Sequence, residues 1–114
     1  MNDEPTSTLS ESRVYALLAR RRRRLIVRIL QDFETPIAAS ELAEILADCE
    51  YERATDRHYR HVRSSLYHNH LPRLDDAGVV DYDRECETVR PDSNFGVLVG
   101  MITDEWEDNG PFAD

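Results

Sequence analysis

The sequence predicts a mainly α-helical domain with a small β-hairpin and an additional C-terminal helix. Three observations favour this fold class: apolar residues recur at helical spacing ahead of Gly78, two short β-prone segments follow it, and a last apolar stripe follows Asn94. The 114 residues, 40% of them hydrophobic, suffice for one modest core. We therefore expect a disordered N-terminal tail at 1–9, one domain at 10–92, a C-terminal helix at 93–108 and an acidic tail at 109–114.

Two helices are expected ahead of Pro36. Ser10 can cap a short first helix, because its side chain can accept a hydrogen bond from the first turn. The second helix combines the arginine run Arg20 to Arg24 with apolar positions on one face, and Pro36 ends it or marks the turn beyond it. The apolar residues are Val14, Leu17 and Leu18 in the first helix and Leu25, Ile26, Ile29, Leu30 and Phe33 in the second.

Two further helices are expected between Pro36 and Gly78. Ser40 is a suitable N-cap, and the helix that it starts should end within residues 50–54. Thr55 offers the next cap, for a helix that runs to about Pro72, where the missing backbone donor predicts a kink or an early end. The predicted core residues are Leu42, Ala43, Ile45, Leu46 and Cys49 in one helix and Tyr59, Val62 and Leu66 in the other.

A hairpin and a last helix complete the predicted domain. Gly78 provides the helix stop, and strands at 79–83 and 88–90 flank a turn at 84–87. Asn94 can cap a final helix with an apolar stripe at helical spacing. A capped helix, a connection and a second helix that leads into a hairpin form the layout of a winged helix-turn-helix.

The distribution of charge is more informative than the net charge of −9. All fourteen basic residues are arginine, and such an acidic, lysine-free composition is typical of a halophilic protein. Residues 20–73 carry eleven arginines, eight acids and all four histidines, which gives a net charge of +3. Residues 75–114 carry two arginines and twelve acids. We therefore expect one face that can meet phosphate and another that repels it.

The helix expected to begin at Thr55 offers a candidate DNA-reading face. It is the third helix when the helix of the arginine run is counted as the first. Polar side chains that can bond to base edges or phosphates lie opposite its predicted core residues. They are Arg57, Arg60, His61, Ser64, Tyr67 and His68. In the predicted wing, Arg84 and Arg90 could reach the DNA backbone, although five neighbouring acids oppose this. The alternative is an ordinary solvated helix face.

The arginine run is a second basic feature. Five consecutive residues wrap around a helix, so they cannot all point in one direction. One or two of Arg20 to Arg24 could contact phosphate beside the reading helix, and the others are expected to form ion pairs with the twelve acids of residues 75–114.

Three segments carry a family resemblance. The segment His70 to Val80 resembles the HLxxLxxAGxV signature of ArsR-like repressors, and residues 17–30 and 40–46 resemble the core and positioning helices of the same group. The arginine run with residues 65–67 and 70–72 is similar to a haloarchaeal winged-helix domain family of uncharacterised function. The resemblance covers about residues 10–90 and implies DNA binding and transcriptional control.

The apolar stripe of the last helix predicts a contact beyond the small core. Its residues are Phe95, Leu98, Val99, Ile102 and Trp106. Because helix-turn-helix proteins commonly bind two-fold DNA sites as dimers, we expect this helix to pair with its symmetry mate in a homodimer. The alternative is that it packs against the first helix of its own chain.

Other classes of function have little support in the sequence. Nothing resembles a phosphate loop, a nucleophile elbow or a paired-carboxylate site, so we expect neither an enzyme nor a cofactor. Cys49 and Cys86 lie outside CxxC spacing and are interpreted as free thiols, with a redox or metal switch as the alternative. His58 and His61 are interpreted as solvent or DNA contacts rather than metal ligands. A membrane-spanning run and a secretion signal are both lacking, which predicts a cytoplasmic protein.

The predicted function is a sequence-specific regulator of transcription that binds double-stranded DNA. Its reading helix would enter the major groove and its wing would contact the backbone. The alternative is a protein–protein interaction module on the same fold, which would use the acidic C-terminal half or the apolar last helix and would not bind DNA.

Overall fold

The computed structural model describes the backbone of residues 9–106 and the side chains of residues 9–102. The predicted acidic tail, nearly all of the predicted N-terminal tail and the side chain of Trp106 lie outside the described residues. The elements in chain order are α1 (Glu11–Leu18), α2 (Arg21–Leu30), β1 (Ile37–Ala38), α3 (Ala39–Glu50), α4 (Asp56–Ser65), a π-helical turn (Leu66–His70), α5 (Leu71–Asp76), β2 (Val80–Asp83), β3 (Thr88–Pro91) and α6 (Phe95–Trp106).

The first two helices form as predicted, but the second is shorter. Ser10 caps α1, because its Oγ accepts a hydrogen bond from the Arg13 N–H at 3.2 Å. Helix α2 ends at Leu30, well before Pro36. Phe33 therefore lies beyond the helix, where it is partly buried against the core. The apolar spacing extended past the end of the helix because a packed turn also needs an apolar side chain.

The N-terminus of α3 differs from the prediction. The helix begins at Ala39 with Ala38 as its N-cap residue, so Ser40 lies inside the first turn and is not the cap. The Ala39 N–H donates instead to the Glu87 carbonyl at 2.8 Å. A carbonyl from the hairpin thus satisfies one of the first N–H groups of α3, which have no acceptor within the helix.

A three-stranded antiparallel sheet replaces the two-stranded hairpin expected from the sequence. Its strand order is β1-β3-β2, and Val89 of β3 faces both Ile37 of β1 and Tyr82 of β2. Alternation along the strands places these three residues on the inner face of the sheet and Asp81, Asp83, Thr88 and Arg90 on the outer face. Strand β1 has only two residues, too few to show an alternating pattern.

Helix α4, the π-helical turn and α5 form one long helix, which Pro72 alters without ending it. The Leu71 N–H donates to the Leu66 carbonyl, five residues back, which is the hydrogen bond of a π-helix. Pro72 is the second residue of α5 and has no N–H to donate to a carbonyl of the preceding turn. The predicted irregularity is therefore present as a π-helical turn, and the helix continues to Asp76.

The turn after α5 is closed by Gly78. Its φ of 75° is in the left-handed region, and the Val79 N–H donates to the Leu74 carbonyl at 2.9 Å, as in a Schellman motif. Asn94 is the residue predicted to cap the last helix. Its side-chain amide donates a hydrogen bond to the Ala77 carbonyl, at the end of α5, at 2.9 Å. Next to this turn, the Asp75 carboxylate accepts from the Tyr82 N–H on β2 at 3.2 Å.

The last helix packs on its own chain. Helix α6 contacts α1 and α2, and its Leu98 and Ile102 are 0% and 2% exposed. These two residues of the predicted dimer stripe therefore belong to the core of the single chain, which is the alternative that the sequence left open. Phe95 and Val99 are partly buried against the same core. The helices, the sheet and α6 together have the fold class that the sequence predicts.

Candidate nucleic-acid interface

A capping box fixes the start of α4. The Thr55 Oγ1 accepts from the His58 N–H at 3.2 Å, and the His58 Nδ1 accepts from the Thr55 N–H at 3.3 Å. The His58 ring also stacks on Tyr51, with centroids 3.7 Å apart and planes 5° from parallel. His58 therefore holds the turn between α3 and α4, which the sequence did not predict. Among the described residues, no three metal-ligating side chains lie close enough together to hold an ion.

The outer face of α4 presents the side chains that the sequence proposes for reading DNA. Val62 is fully buried, and residues on the opposite side of the helix project from the protein. Arg57, Arg60, His61 and Ser64 are all exposed there, and His68 is exposed on the π-helical turn. The structure thus brings five of the six predicted helix residues to the surface; Tyr67 is partly buried.

Tyr67 belongs to a cluster that joins α4 to the hairpin. Its ring lies 6.4 Å from the ring of Tyr82 on β2, at an interplanar angle of 48°. The Arg63 guanidinium lies 4.9 Å from the Tyr67 ring centroid, and that of Arg84 lies 5.3 Å from the Tyr82 ring centroid. We call these four residues the tyrosine–arginine cluster. It places one cation on each ring at the junction of helix and hairpin.

Arg63 is a candidate that the sequence analysis missed. It lies four positions after Tyr59 and three before Leu66, two of the predicted core residues, so helical spacing alone places it beside the core face rather than on the outer face. The available signal was the pair Arg63 and Tyr67, because an arginine and an aromatic residue four positions apart on a helix are neighbours.

The turn of the hairpin positions Arg84. The Asp83 carboxylate accepts from the N–H groups of Glu85 and Cys86 at 3.0 and 3.1 Å, and these bonds hold the pKa of Asp83 below its usual value. Glu87 closes the turn with a φ of 56°. Arg84 and three neighbours form the predicted turn at 84–87, so Arg84 is presented at the tip of the hairpin.

Arg90 lies away from this surface. Its guanidinium pairs with Asp81 at 3.2 Å on the outer face of the sheet, whereas Tyr82 and the tyrosine–arginine cluster belong to the inner face. The alternation of a strand puts consecutive residues on opposite faces, so the hairpin cannot present Arg90 beside α4. We therefore leave Arg90 out of the candidate interface.

Most of the described contacts of the arginine run are structural. The Arg23 Nε donates to the Leu17 carbonyl at 2.7 Å, and Arg24 donates to the Leu18 carbonyl. These carbonyls end α1, where no intrahelical donor remains for them. Arg22 forms the expected ion pair, but with Glu50 of α3, through two bonds of 2.6 Å, rather than with an acid of the C-terminal segment.

The two cysteines are not joined in a disulfide. Cys49 and Cys86 are free and exposed. Partial burial, followed by the charges of Asp48 and Glu50, raises the pKa of the Cys49 thiol, and Asp83 raises that of the Cys86 thiol. None of the described helices has the length and apolar character needed to cross a bilayer.

The fold and the exposed basic helix define a winged helix-turn-helix domain with an added C-terminal helix. Residues 15–90 match the family described as Domain of unknown function (DUF7344), and the chain belongs to that family. Neither the curated proteins nor the solved structures contain a match to this chain.

Proposed function

We propose that this domain is a sequence-specific regulator of transcription that binds double-stranded DNA, with α4 in the major groove and the β2–β3 hairpin on the backbone. One observation carries the proposal: the exposed arginines of α4 continue through the tyrosine–arginine cluster to Arg84 at the hairpin tip. A winged helix uses this same pair of elements, a helix and its adjacent wing, to hold a duplex.

The outer face of α4 has the chemistry needed to read bases. Arg57 and Arg60 are one turn apart, and an arginine can take a guanine edge with two hydrogen bonds or bind a phosphate. His61 and Ser64 add shorter polar groups along the same helix. The capping box at Thr55 fixes the position of the first of these residues, so the face is presented by a rigid helix end.

The tyrosine–arginine cluster supports the role of the hairpin. A tyrosine ring carries few rotatable bonds, so Tyr67 and Tyr82 hold the guanidinium groups of Arg63 and Arg84 with little loss of entropy on binding. Both cations are then available for phosphates beside the groove that α4 enters.

Charge supports the orientation of the complex. The segment 20–73, which includes α4, carries a net charge of +3, so α4 favours the approach of a duplex. Residues 75–114, which include the hairpin, carry −10, so the contact of the hairpin with the backbone depends on Arg84 at its tip. The resemblance to ArsR-like repressors and to a haloarchaeal winged-helix family favours a transcriptional role. In a halophilic protein, base contacts and shape would carry much of the affinity, because each phosphate contact lowers log K by about 0.9 per log unit of salt.

The test compares two variants with the same change in charge. Arg57→Ala/Arg60→Ala removes two arginines from the outer face of α4, and Arg13→Ala/Arg90→Ala removes two that pair with Asp76 and Asp81 elsewhere. Binding to DNA fragments selected from a genomic library would be followed by fluorescence anisotropy over a series of KCl concentrations.

We expect selective binding by the wild type, a loss of about tenfold or more in the α4 variant, and little change in the control. Equal losses in the two variants would indicate non-specific attraction to charge. No selective binding by the wild type at any salt concentration would favour the protein–protein interaction module instead.

A homodimer is part of the proposal, in a revised form. With Leu98 and Ile102 buried, the surface of α6 that remains for a second copy includes Val97, which is 45% exposed. Light scattering would give twice the chain mass of 13.2 kDa for a dimer, and Val97→Glu would return it to the monomer mass. A complex whose mass corresponds to one protein chain per DNA duplex would contradict the dimer.

A further inference from the structure

A polar cavity lies between the start of α2, the end of α3 and the π-helical turn. Its volume is about 440 Å³, within the size range of small-molecule sites. Its lining residues include Arg20, Arg21 and Arg22 from one side and Glu50, Ser65 and His70 from the other. None of the DNA-reading residues of α4 is among those that line it, so it is distinct from the candidate interface.

The charge at this end of α2 is only partly compensated. The first turn of the helix contains no acid, and its N-cap residue, Arg20, makes no side-chain capping bond. The N–H groups that begin a helix lack intrahelical acceptors and carry partial positive charge, so arginines beside them increase a field that already favours anions.

The partners of the arginine run leave two of its members available. Arg22 is paired with Glu50, and Arg23 and Arg24 bond to carbonyls at the end of α1. Arg20 and Arg21 are exposed, and neither has an acidic partner among the described side chains. Both line the cavity, whose charged groups therefore sum to a net positive charge.

His70 adds a polar side chain to the wall of the cavity. The residue is 5% exposed and lines the cavity, and its Nδ1 is fully buried without a hydrogen-bond partner within residues 9–102. Burial, followed by the charges of Arg23 and Arg22, lowers the pKa of His70 to about 4. A neutral imidazole carries one N–H donor, and a buried polar group without a partner is uncommon in folded proteins.

We propose that this cavity binds a phosphate oxyanion, held by the guanidinium groups of Arg20 and Arg21, the first N–H groups of α2 and the imidazole of His70. Several donors that converge from two sides suit the three or four acceptor oxygens of phosphate, and arginine binds phosphate through paired hydrogen bonds. The phosphate could belong to a free small molecule or to the backbone of a bound duplex. The site is assigned without reference to DNA binding, so either proposal can fail without the other.

Inorganic phosphate is the probe for the first test. It would be added to the full chain without DNA, at constant ionic strength maintained with KCl, while NMR follows the amides of Arg21 and Arg22 and the ring of His70. We expect a saturable shift that Arg20→Ala/Arg21→Ala weakens by about tenfold or more. Arg57→Ala/Arg60→Ala, with the same loss of charge, should bind as tightly as the wild type.

A shift that does not saturate, or one that is equally strong in Arg20→Ala/Arg21→Ala, would overturn the proposal. Thermal unfolding of each variant checks that these exposed substitutions leave the fold intact. A short duplex added to the phosphate-bound protein then identifies the source: displacement of phosphate from the Arg21 and Arg22 amides assigns the site to a backbone phosphate, and retention assigns it to a free ligand. Both outcomes require the saturable site.

Discussion

Tyr67 of the π-helical turn packs against Tyr82 of β2, with ring centroids 6.4 Å apart. The first residue belongs to the long helix and the second to the hairpin, so this pair links the two elements that the proposed function requires. Because the rings meet at an angle of 48°, the contact has the tilted geometry that aromatic pairs favour. A specific side-chain contact therefore joins the helix to the hairpin.

Tyr82→Ala should weaken both stability and DNA binding. The substitution removes a partly buried ring from its contacts with Tyr67 and Arg84, and we expect the free energy of unfolding to fall by about 1–3 kcal/mol. Urea denaturation measures this. Tyr82→Phe keeps the ring and should remain within about 0.5 kcal/mol of wild type. If the Phe variant lost as much stability as the Ala variant, the hydroxyl rather than the ring contact would be responsible.

Gly78→Ala and Gly96→Ala should change stability in opposite directions. A Cβ on residue 78 would lie 2.9 Å from the Asn94 Nδ2, and the φ of 75° is unfavourable for alanine, so we expect a loss of about 1–3 kcal/mol. A Cβ on residue 96, within α6, would meet nothing within 4 Å. That variant should gain up to about 1 kcal/mol, because alanine favours a helix. Thermal denaturation of both variants provides the comparison, and a stabilised Gly78→Ala would contradict the packing described for this turn.

His70 should make stability depend on pH between 6.5 and 4. Its pKa falls from 6.5 to about 4 in the folded chain, through burial and the surrounding charges of Arg20, Arg22, Arg23 and Arg73. In this window the unfolded chain binds a proton that the folded chain does not, so stability decreases as the pH is lowered. The decrease should reach up to about 3 kcal/mol near pH 4, since one pKa unit is worth about 1.4 kcal/mol.

Comparison with His70→Gln isolates this effect from the titration of the many carboxylates. Chemical denaturation at a series of pH values should give a shallower dependence for His70→Gln than for wild type. His68→Gln, a variant of an exposed histidine on the same turn, should keep the wild-type dependence. Parallel curves for wild type and His70→Gln would show that His70 is protonated equally in the two states.

Glu50→Gln should lower the free energy of unfolding by more than the loss of an exposed ion pair does. Glu50 and Arg22 have side chains that are 13% and 19% exposed, and their hydrogen bond raises the pKa of Arg22. Removing the carboxylate leaves a partly buried cation without its partner, at a cost of about 2 kcal/mol. Asp76→Asn breaks the exposed pair with Arg13 and should cost less than about 0.5 kcal/mol. Similar losses in the two variants, measured by urea denaturation, would be inconsistent with this difference in burial.

Local signals account for the parts of the fold that the sequence predicts well. Ser10, Thr55 and Gly78 act through their own side chain or backbone conformation on residues within one turn, and all three end or begin elements as expected. The turn at 84–87 is also where the sequence places it. Each of these features depends on neighbouring residues only, so periodicity and cap chemistry suffice.

Apart from the local roles of His58 and Arg63, the features that sequence analysis missed depend on contacts between distant segments. Strand β1 exists because Ile37 pairs with Val89, and the start of α3 is held by the Glu87 carbonyl. The sequence left open which of Arg20 to Arg24 face outward, and the folded chain directs Arg23 and Arg24 to the end of α1. The outer face of α4 could be predicted from helical spacing, whereas the cavity beside His70 could not, because three separate elements enclose it.

The hydrogen bond from Tyr82 to Asp75 has a consequence for self-association. Strand β2 is an edge of the sheet, and the Tyr82 N–H lies on the side that β3 does not cover. An unpaired donor there would be a template for a strand from another molecule, a common route to aggregation. The Asp75 carboxylate occupies that donor and adds negative charge next to it. The hairpin can therefore be solvent-exposed for contact with a large partner without recruiting further copies of itself into a continuous sheet.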